Sequence, residues 1–240
     1  MDNFSPDSGA DSLQAVINAL PESCNIFFAG LARNNEKFWF ETYRSQYEKH
    51  ILEPARTLVT IMGERLVAVA PDIIADPRVN GSIFRIYRDT RFSKNKTPYK
   101  THLGLYFWEG EGKKLENSGF YCHFEPGLIM VGVGMYMFTR DALKRYRAVI
   151  AEPRKHQTLC RIVNDLESGG YRLGGQHYKR LPSDLDPQLT RPELWLHNGL
   201  YGSWETDKLV LSADMDLTDF LFGHFAALAP VHHWLRQQVL

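Results

Sequence analysis

The stretch FYCHFEPGLIMVGVGM, residues 120–135, predicts two neighbouring β-strands. Its two apolar segments are separated by Glu125, Pro126 and Gly127, and proline and glycine are the residues that most often mark turns. Two apolar segments joined by so short a turn are typical of a β-hairpin. We therefore expect this stretch to lie inside an antiparallel sheet.

The preceding residues extend the same prediction. THLGLYFWE, residues 101–109, alternates Leu103, Leu105 and Phe107 with more polar or aromatic positions, and the turn-rich EGEGKKLENSG follows it. SIFRIYRD, residues 82–89, also alternates, with one apolar face. Together these segments predict an antiparallel meander of about four strands over residues 82–136.

Helical patterns flank the meander on both sides. Before it, helices are predicted from Ser12 to Leu20, near residues 26–31, over 36–51 with Asn34 or Asn35 as the cap, and, after a kink at Pro54, through Leu66. After it, helices are predicted over 140–153, 154–166 and 217–240, the last with a break at Pro230. Residues 170–212 are turn-rich, with a short helix predicted near 191–197.

Helices, then adjacent strands, then helices again predict an α+β fold, in which helices cover one face of an antiparallel sheet. No linker divides the 240 residues, so we expect a single domain over residues 11–240 after a poorly ordered tail of residues 1–10.

The composition is ordinary for a soluble globular protein, with 44% hydrophobic and 23% charged residues. Lysine and arginine together number 28, as do aspartate and glutamate, so the chain lacks the positive field of a dedicated nucleic-acid binder. The polar, acidic start and the absence of a long apolar run lead us to expect a cytoplasmic protein without a membrane segment.

Cysteine usage argues against a stabilising disulfide or metal framework. Cys24, Cys122 and Cys160 are odd in number and widely spaced. We therefore expect no bound metal, and no motif in the sequence predicts a cofactor.

A basic segment, RDTRFSKNKTPYKTH at residues 88–102, lies between two predicted strands and is the clearest candidate for a site. Arginine can grip two oxygens of a phosphate or carboxylate, and lysine adds a mobile charge. We predict that a concave basic pocket binds a small anionic ligand through the side chains of Arg88, Arg91, Lys96, Tyr99 and Lys100.

Two histidines form a second candidate constellation. His102 and His123, with Tyr121 and Glu125, are expected to face each other across neighbouring strands, where they could supply an acid or base, bind a metal, or hydrogen-bond structurally. If the protein is an enzyme, His123, Tyr99 and His102 are the candidate catalytic residues. The sequence leaves open whether it catalyses a reaction.

Two motifs, NNEKFWF at residues 34–40 and RDTRFSKNKTPYKT at 88–101, resemble those of a widespread bacterial and fungal family of conserved proteins of unknown function. The resemblance runs from about Phe27 to the C-terminus and includes TRDALKRYRAVI. In that segment Arg147 lies at a position where the family usually has a basic residue. It implies one compact domain, with characteristic positions at Asn34, Asn35, Trp39 and Phe40. It implies no activity, substrate or cofactor.

Three functions remain open from the sequence. The first is binding, or conversion, of a small anionic molecule in the basic pocket. The second is an interaction module in which the basic segment is structural and internally ion-paired. The third is nucleic-acid binding, which the zero net charge disfavours.

Overall fold

The computed structural model describes residues 7–183, 185–186, 188–207 and 215–240. Four helices precede the sheet: α1 (Asp7–Asn18), α2 (Leu20–Arg33), α3 (Lys37–Tyr47) and α4 (Glu53–Leu66). A π-helical turn, Glu48–Leu52, joins α3 to α4. It lies just before Pro54, where the sequence predicted a kink. After the central strands come α5 (Arg140–Ile150) and α6 (Pro153–Ser168), and α7 (Leu217–Gln238) follows the last strand.

The described residues form a six-stranded antiparallel sheet with the order β1-β2-β3-β4-β6-β5. Its strands are β1 (Ile73–Ile74), β2 (Leu103–Glu109), β3 (Gly119–Glu125), β4 (Leu128–Met135), β5 (Arg172–Gln176) and β6 (His197–Thr206). Short 3-10 helices occupy Lys114–Glu116 and Pro192–Leu196. The predicted α+β class with an antiparallel sheet and flanking helices is confirmed.

The two faces of the sheet have different neighbours. On one face, α7 lies against β4 and β6, and α2 lies against β3. Phe225 of α7 packs with ring centroids 5.6 Å from Phe120 and 6.3 Å from Phe107. The apolar positions of the strands thus turn towards the helices, because alternate side chains in a strand point to opposite faces. The opposite face carries the cleft described below.

The sheet extends beyond the region that the sequence predicted. β5 and β6 lie within residues 170–212, which had been interpreted as turns with a short helix, and residues 208–212 fall outside the described part. The predicted short helix is present as the 3-10 helix Pro192–Leu196. The glycines of RLGGQ and HNGLYGSWET conceal both strands, since glycine is uncommon in strands and signals turns.

The predicted strand over residues 82–89 is not a regular strand. It is an extended segment with isolated bridges, one between Ile83 and Leu105 and one between Tyr87 and Tyr99. The segment pairs first with β2 and then with the chain that leads into β2, so neither ladder continues. Local alternation predicted extended backbone correctly but not the change of partner.

Two predictions about helix ends were wrong. Neither Asn34 nor Asn35 caps α3, whose first residue follows Glu36 without any side-chain cap. α7 also continues through Pro230. Proline removes one hydrogen bond from a helix, but Leu228, Val231 and Leu235 are buried on both sides of it, so core packing keeps the helix continuous.

α1 begins at Asp7 and so includes residues 7–10 of the predicted tail. Residues 1–6 lie outside the described residues, and the tail there stays a prediction. Within the described residues, no single helix is long and apolar enough to cross a membrane, although Ser12–Asn18 and Leu20–Arg33, bent by 41°, meet that test when taken together.

A buried polar network ties α7 to the sheet. His232, which is fully buried, has its Nε2 2.8 Å from Glu109 Oε2 and its Nδ1 2.9 Å from Ser118 Oγ. Glu109 also accepts from the backbone N–H of Asp72 at 3.0 Å and lies 3.4 Å from Arg236. Because His232 and Ser118 are buried, deleting the imidazole would leave the Ser118 hydroxyl without its hydrogen bond and remove one of the contacts of Glu109.

We expect His232→Ala to lower the free energy of unfolding by about 3–5 kcal/mol, since it leaves a cavity and a buried Ser118 hydroxyl without its hydrogen bond. The neighbouring His233→Ala, at an exposed position, is the matched control and should cost less than about 1 kcal/mol. Urea unfolding of the two variants measures the difference. Equal losses in both would contradict a network that fastens α7 to the sheet.

Candidate functional site

A cleft of about 690 Å³ lies over β2, β3 and β4 on the sheet face opposite α7. Residues of the three strands form its floor, and Phe84, the 114–116 turn and residues 136–139 form its sides. Its lining is mainly apolar and aromatic, with a few polar side chains, as in most small-molecule sites. The cleft is therefore the candidate site.

Four polar side chains of the cleft lie together at one end of the strands. His102 immediately precedes β2, and its ring centroid lies 5.3 Å from that of His123 on β3. Lys100 and Glu125 line the same end. The predicted meeting of His102 and His123 across neighbouring strands is confirmed by this geometry.

His123 has one satisfied and one unsatisfied ring nitrogen. Its Nδ1 lies 3.1 Å from the hydroxyl of Tyr121, two residues away on the same face. Its Nε2 is buried and has no hydrogen-bond partner. If the phenol donates to Nδ1, Nε2 carries the proton and can donate to a ligand oxygen.

Lys100 brings a half-buried cation to the cleft. Its Nζ lies 5.2 Å from the centre of the Phe84 ring, and the ammonium makes no ion pair or hydrogen bond with any described residue. Burial and the nearby Arg85 lower the pKa of Lys100, because both disfavour its charged form. An anion bound in the cleft would offset both effects.

Burial also lowers the pKa values of the two histidines. The pKa of His102 falls from 6.5 to about 4 because of burial first and then of the neighbouring His123 and Lys100. Burial lowers the pKa of His123, against a smaller opposing effect of Glu205. Both imidazoles are thus neutral near pH 7 and can act as hydrogen-bonding groups or as bases.

The other end of the cleft is apolar and has an unusually low floor. Gly132 of β4 pairs with Tyr121, and Gly134 pairs with Gly119 of β3. A Cβ added to Gly132 would lie 3.5 Å from the Gly202 carbonyl oxygen, which is an ordinary contact. This position therefore leaves room in the cleft. Gly134, with φ of 134°, lies so close to Leu200 that a side chain would collide with its carbonyl.

The two family-like motifs of the sequence meet beside the cleft. The Asn35 amide donates to the Tyr99 carbonyl at 3.0 Å, and the Tyr99 N–H donates back to Asn35 Oδ1 at 3.0 Å. The ring of Phe40 lies 4.5 Å from that of Tyr99, which is buried. Asn35 thus pairs with Tyr99 as a strand would and holds the residue next to Lys100.

The basic segment reaches the cleft through one of its predicted ligands. Of its five predicted ligands only Lys100 lines the cleft; Arg88, Arg91, Lys96 and Tyr99 do not. Arg91 pairs with Asp89 at 2.7 Å, Lys96 donates to the Thr90 carbonyl at 2.8 Å, and Arg88 bonds the hydroxyl of Thr97. These three cations thus bond within the exposed turn, and the expectation that they border a shared pocket stays a prediction. Their binding of a ligand stays a prediction.

Two further arrangements bear on the chemistry. Among the described residues, no group of three or more histidine, cysteine, aspartate or glutamate side chains is placed to hold a metal ion. Ser118, His232 and Glu109 resemble a hydrolytic triad in connectivity, but Ser118 and His232 are fully buried. A substrate cannot reach that serine, so the network is structural.

The fold and the cleft define an α+β protein with a small-molecule-sized site on the open face of its sheet. The sequence profile of the conserved hypothetical protein family DUF2461 matches residues 24–234, and the chain belongs to that family. No curated protein and no solved structure matched the chain.

Sequence reasoning missed most of the cleft lining. Phe84, Tyr136 and Tyr201 come from three distant segments, and only the folded sheet brings them together. The glycines at 132 and 134 were a usable signal, because their spacing places both on one face where a ligand or another backbone could approach. Gly132 leaves space in the cleft, and Gly134 allows the backbone approach.

We expect Asn35→Ala to destabilise the fold by about 1–3 kcal/mol, because it leaves the buried N–H and carbonyl of Tyr99 unpaired. Asn34→Ala is the matched control, since the Asn34 amide makes one exposed bond to the Gly30 carbonyl, and it should cost less than about 1 kcal/mol. Thermal unfolding compares the two. A larger loss in the Asn34 variant would contradict the proposed role of Asn35.

Stability should also fall on acidification. Below about pH 6.5 the unfolded chain protonates His102, whereas the folded chain resists this until about pH 4, so the free energy of unfolding decreases through that window. One histidine contributes at most about 1.4 kcal/mol per pH unit. His102→Gln should reduce the slope between pH 6.5 and 4 in urea titrations, and an unchanged slope would refute a neutral, buried His102.

Proposed function

We propose that the protein binds a small organic anion with an apolar body in the cleft, and that Lys100 receives the anionic group. The unpaired ammonium of Lys100 in an otherwise aromatic cleft is the observation that carries this proposal. A half-buried charge without an ion-pair partner is unfavourable, and a bound anion lowers that cost.

The neighbouring groups favour the same ligand. The buried Nε2 of His123 offers a second hydrogen-bonding atom at the polar end of the cleft. Phe84, Tyr121 and Met130 offer apolar surface beside it. Ligand sites commonly combine such an apolar surface with a small number of orienting polar groups.

Glu125 sets a limit on the charge of the ligand. Its carboxylate lines the polar end and makes no ion pair with a described residue. It opposes an anion there, so the cleft suits one negative charge better than two.

A structural role of the basic segment is compatible with this proposal. The pairing of Asn35 with Tyr99 and the internal bonds of Arg91 and Lys96 support such a role for residues 88–99. Lys100, at the end of the segment, then acts in ligand binding because the segment is held in place.

Fluorescence titration with anilinonaphthalenesulfonate, and with its neutral analogue phenylnaphthylamine, tests the proposal. We expect Lys100→Gln to weaken sulfonate binding by about 1.5–3 kcal/mol and to change the neutral dye by less than about 0.5 kcal/mol. Glu125→Gln should strengthen sulfonate binding. Gly132→Val should block both dyes without lowering the melting temperature, because valine suits a strand better than glycine.

Lys96→Gln is the matched control for Lys100→Gln. It removes one positive charge from the exposed turn, outside the cleft, and should leave sulfonate binding unchanged. If Lys96→Gln weakens binding and Lys100→Gln does not, the anion binds the basic turn and the cleft proposal fails. Weaker sulfonate binding by the Glu125→Gln variant would also refute it.

A further inference from the structure

We propose that the ligand of this cleft is an elongated monocarboxylate with an unbranched aliphatic chain. Its carboxylate lies between Lys100 and His123, and its chain follows the glycine floor to the far rim. This inference rests on the proposed function and adds the shape and class of the ligand.

Polar and apolar groups of the cleft are separated along the direction of the strands. His123 and Gly119 lie four residues apart on β3, and both line the cleft. At a rise of about 3.4 Å per residue, about 14 Å of strand separate them. A compact ligand would occupy one end only, whereas an extended chain occupies both.

The floor of the cleft is low where the glycines of β4 lie. Gly132 and Gly134 add no side chains to the β4 side of the cleft, which Met130 also lines. Phe84 and Tyr201 line the cleft from segments outside β3 and β4. A trough with a low floor and aromatic sides fits a narrow flexible chain. It fits a broad ring system less well, because the room is gained along the strand direction.

Two polar groups at the far end of the cleft, Glu116 and Thr139, already have partners. Glu116 pairs with Lys113 at 2.9 Å, and the hydroxyl of Thr139 caps α5 by accepting from Ala142 at 3.1 Å. Neither group requires a polar ligand atom. This end of the cleft therefore suits hydrocarbon.

The rim at that end exposes apolar side chains that a chain would cover. Tyr136 is 80% exposed and Met137 57% exposed, and both line the cleft. Large exposed apolar side chains in a group mark a binding surface more often than a random surface, and methionine adapts its shape to a flexible partner.

The head-group donors select a single negative charge. Lys100 supplies one ammonium and His123 one neutral ring nitrogen, while Glu125 places a carboxylate at the same end. A carboxylate with two oxygens matches two donors. Glu125 opposes the second charge of a phosphate more than it opposes the single charge of a carboxylate.

Displacement of anilinonaphthalenesulfonate by hexanoate, octanoate, decanoate and dodecanoate, each below its micelle concentration, tests the inference. Each added methylene should strengthen binding about threefold to fourfold until the chain passes the rim, after which affinity levels off. Decyl phosphate and methyl decanoate should both compete less well than decanoate.

Three variants separate head from chain. Lys100→Gln should weaken all four carboxylates by a similar factor of about tenfold or more. Met137→Glu should weaken decanoate and dodecanoate but leave hexanoate unchanged. Gly132→Val, which fills the floor, should remove the dependence on chain length.

Two failures are distinguishable. If the dye binds in the cleft, as judged by its loss in Gly132→Val, but hexanoate and dodecanoate compete equally or not at all, the ligand is compact and this inference is wrong while the proposed function stands. If the dye binds equally to the parent and to the Gly132→Val and Lys100→Gln variants, the proposed function fails as well.

Discussion

The pair of hydrogen bonds between Asn35 and the backbone of Tyr99 is the constraint on which the site depends. The amide of an asparagine side chain can both donate and accept hydrogen bonds. It can therefore satisfy the backbone N–H and carbonyl of Tyr99 on the side where no strand pairs with them. Phe40 and Tyr87 pack on the Tyr99 ring and exclude water from those bonds. With Tyr99 held, Lys100 and the start of β2 have a defined direction. The cleft thus acquires its cation through an interaction that lies outside it.

The two faces of the sheet differ: one packs against helices and the other carries the cleft. One face meets α2 and α7, and the buried contacts of His232 with Glu109 and Ser118 fasten α7 there. In the part of the chain that the structure describes, side chains on the opposite face of β3 and β4 line a cleft. A site built on strands is held more rigidly than one on a loop, because the ladder hydrogen bonds position each side chain. This explains how two neutral histidines can remain close together without a direct bond.

Several features were predictable because they depend on short stretches of sequence. The hairpin around Pro126 and Gly127, the helices flanking the sheet and the closeness of His102 to His123 all follow from local patterns and strand pairing. The features that failed depend on distant partners. Asn35 reads as a cap but bonds to Tyr99, and residues 82–89 read as a strand but change partners along their length. Pro230 predicts a break, but it lies within a helix that continues past it.

The sequence by itself determined the α+β class, the antiparallel centre of the sheet and the position of a basic segment before β2, because periodicity and turn residues act over a few positions. Only the tertiary structure decided what that segment does. It turns Arg91 and Lys96 to bonds within the segment and places Lys100 near the Phe84 ring in the cleft, since a lysine's role depends on which charges and rings surround it. Those neighbours come from distant parts of the chain. Their meeting is a property of the packed sheet, which no local pattern encodes.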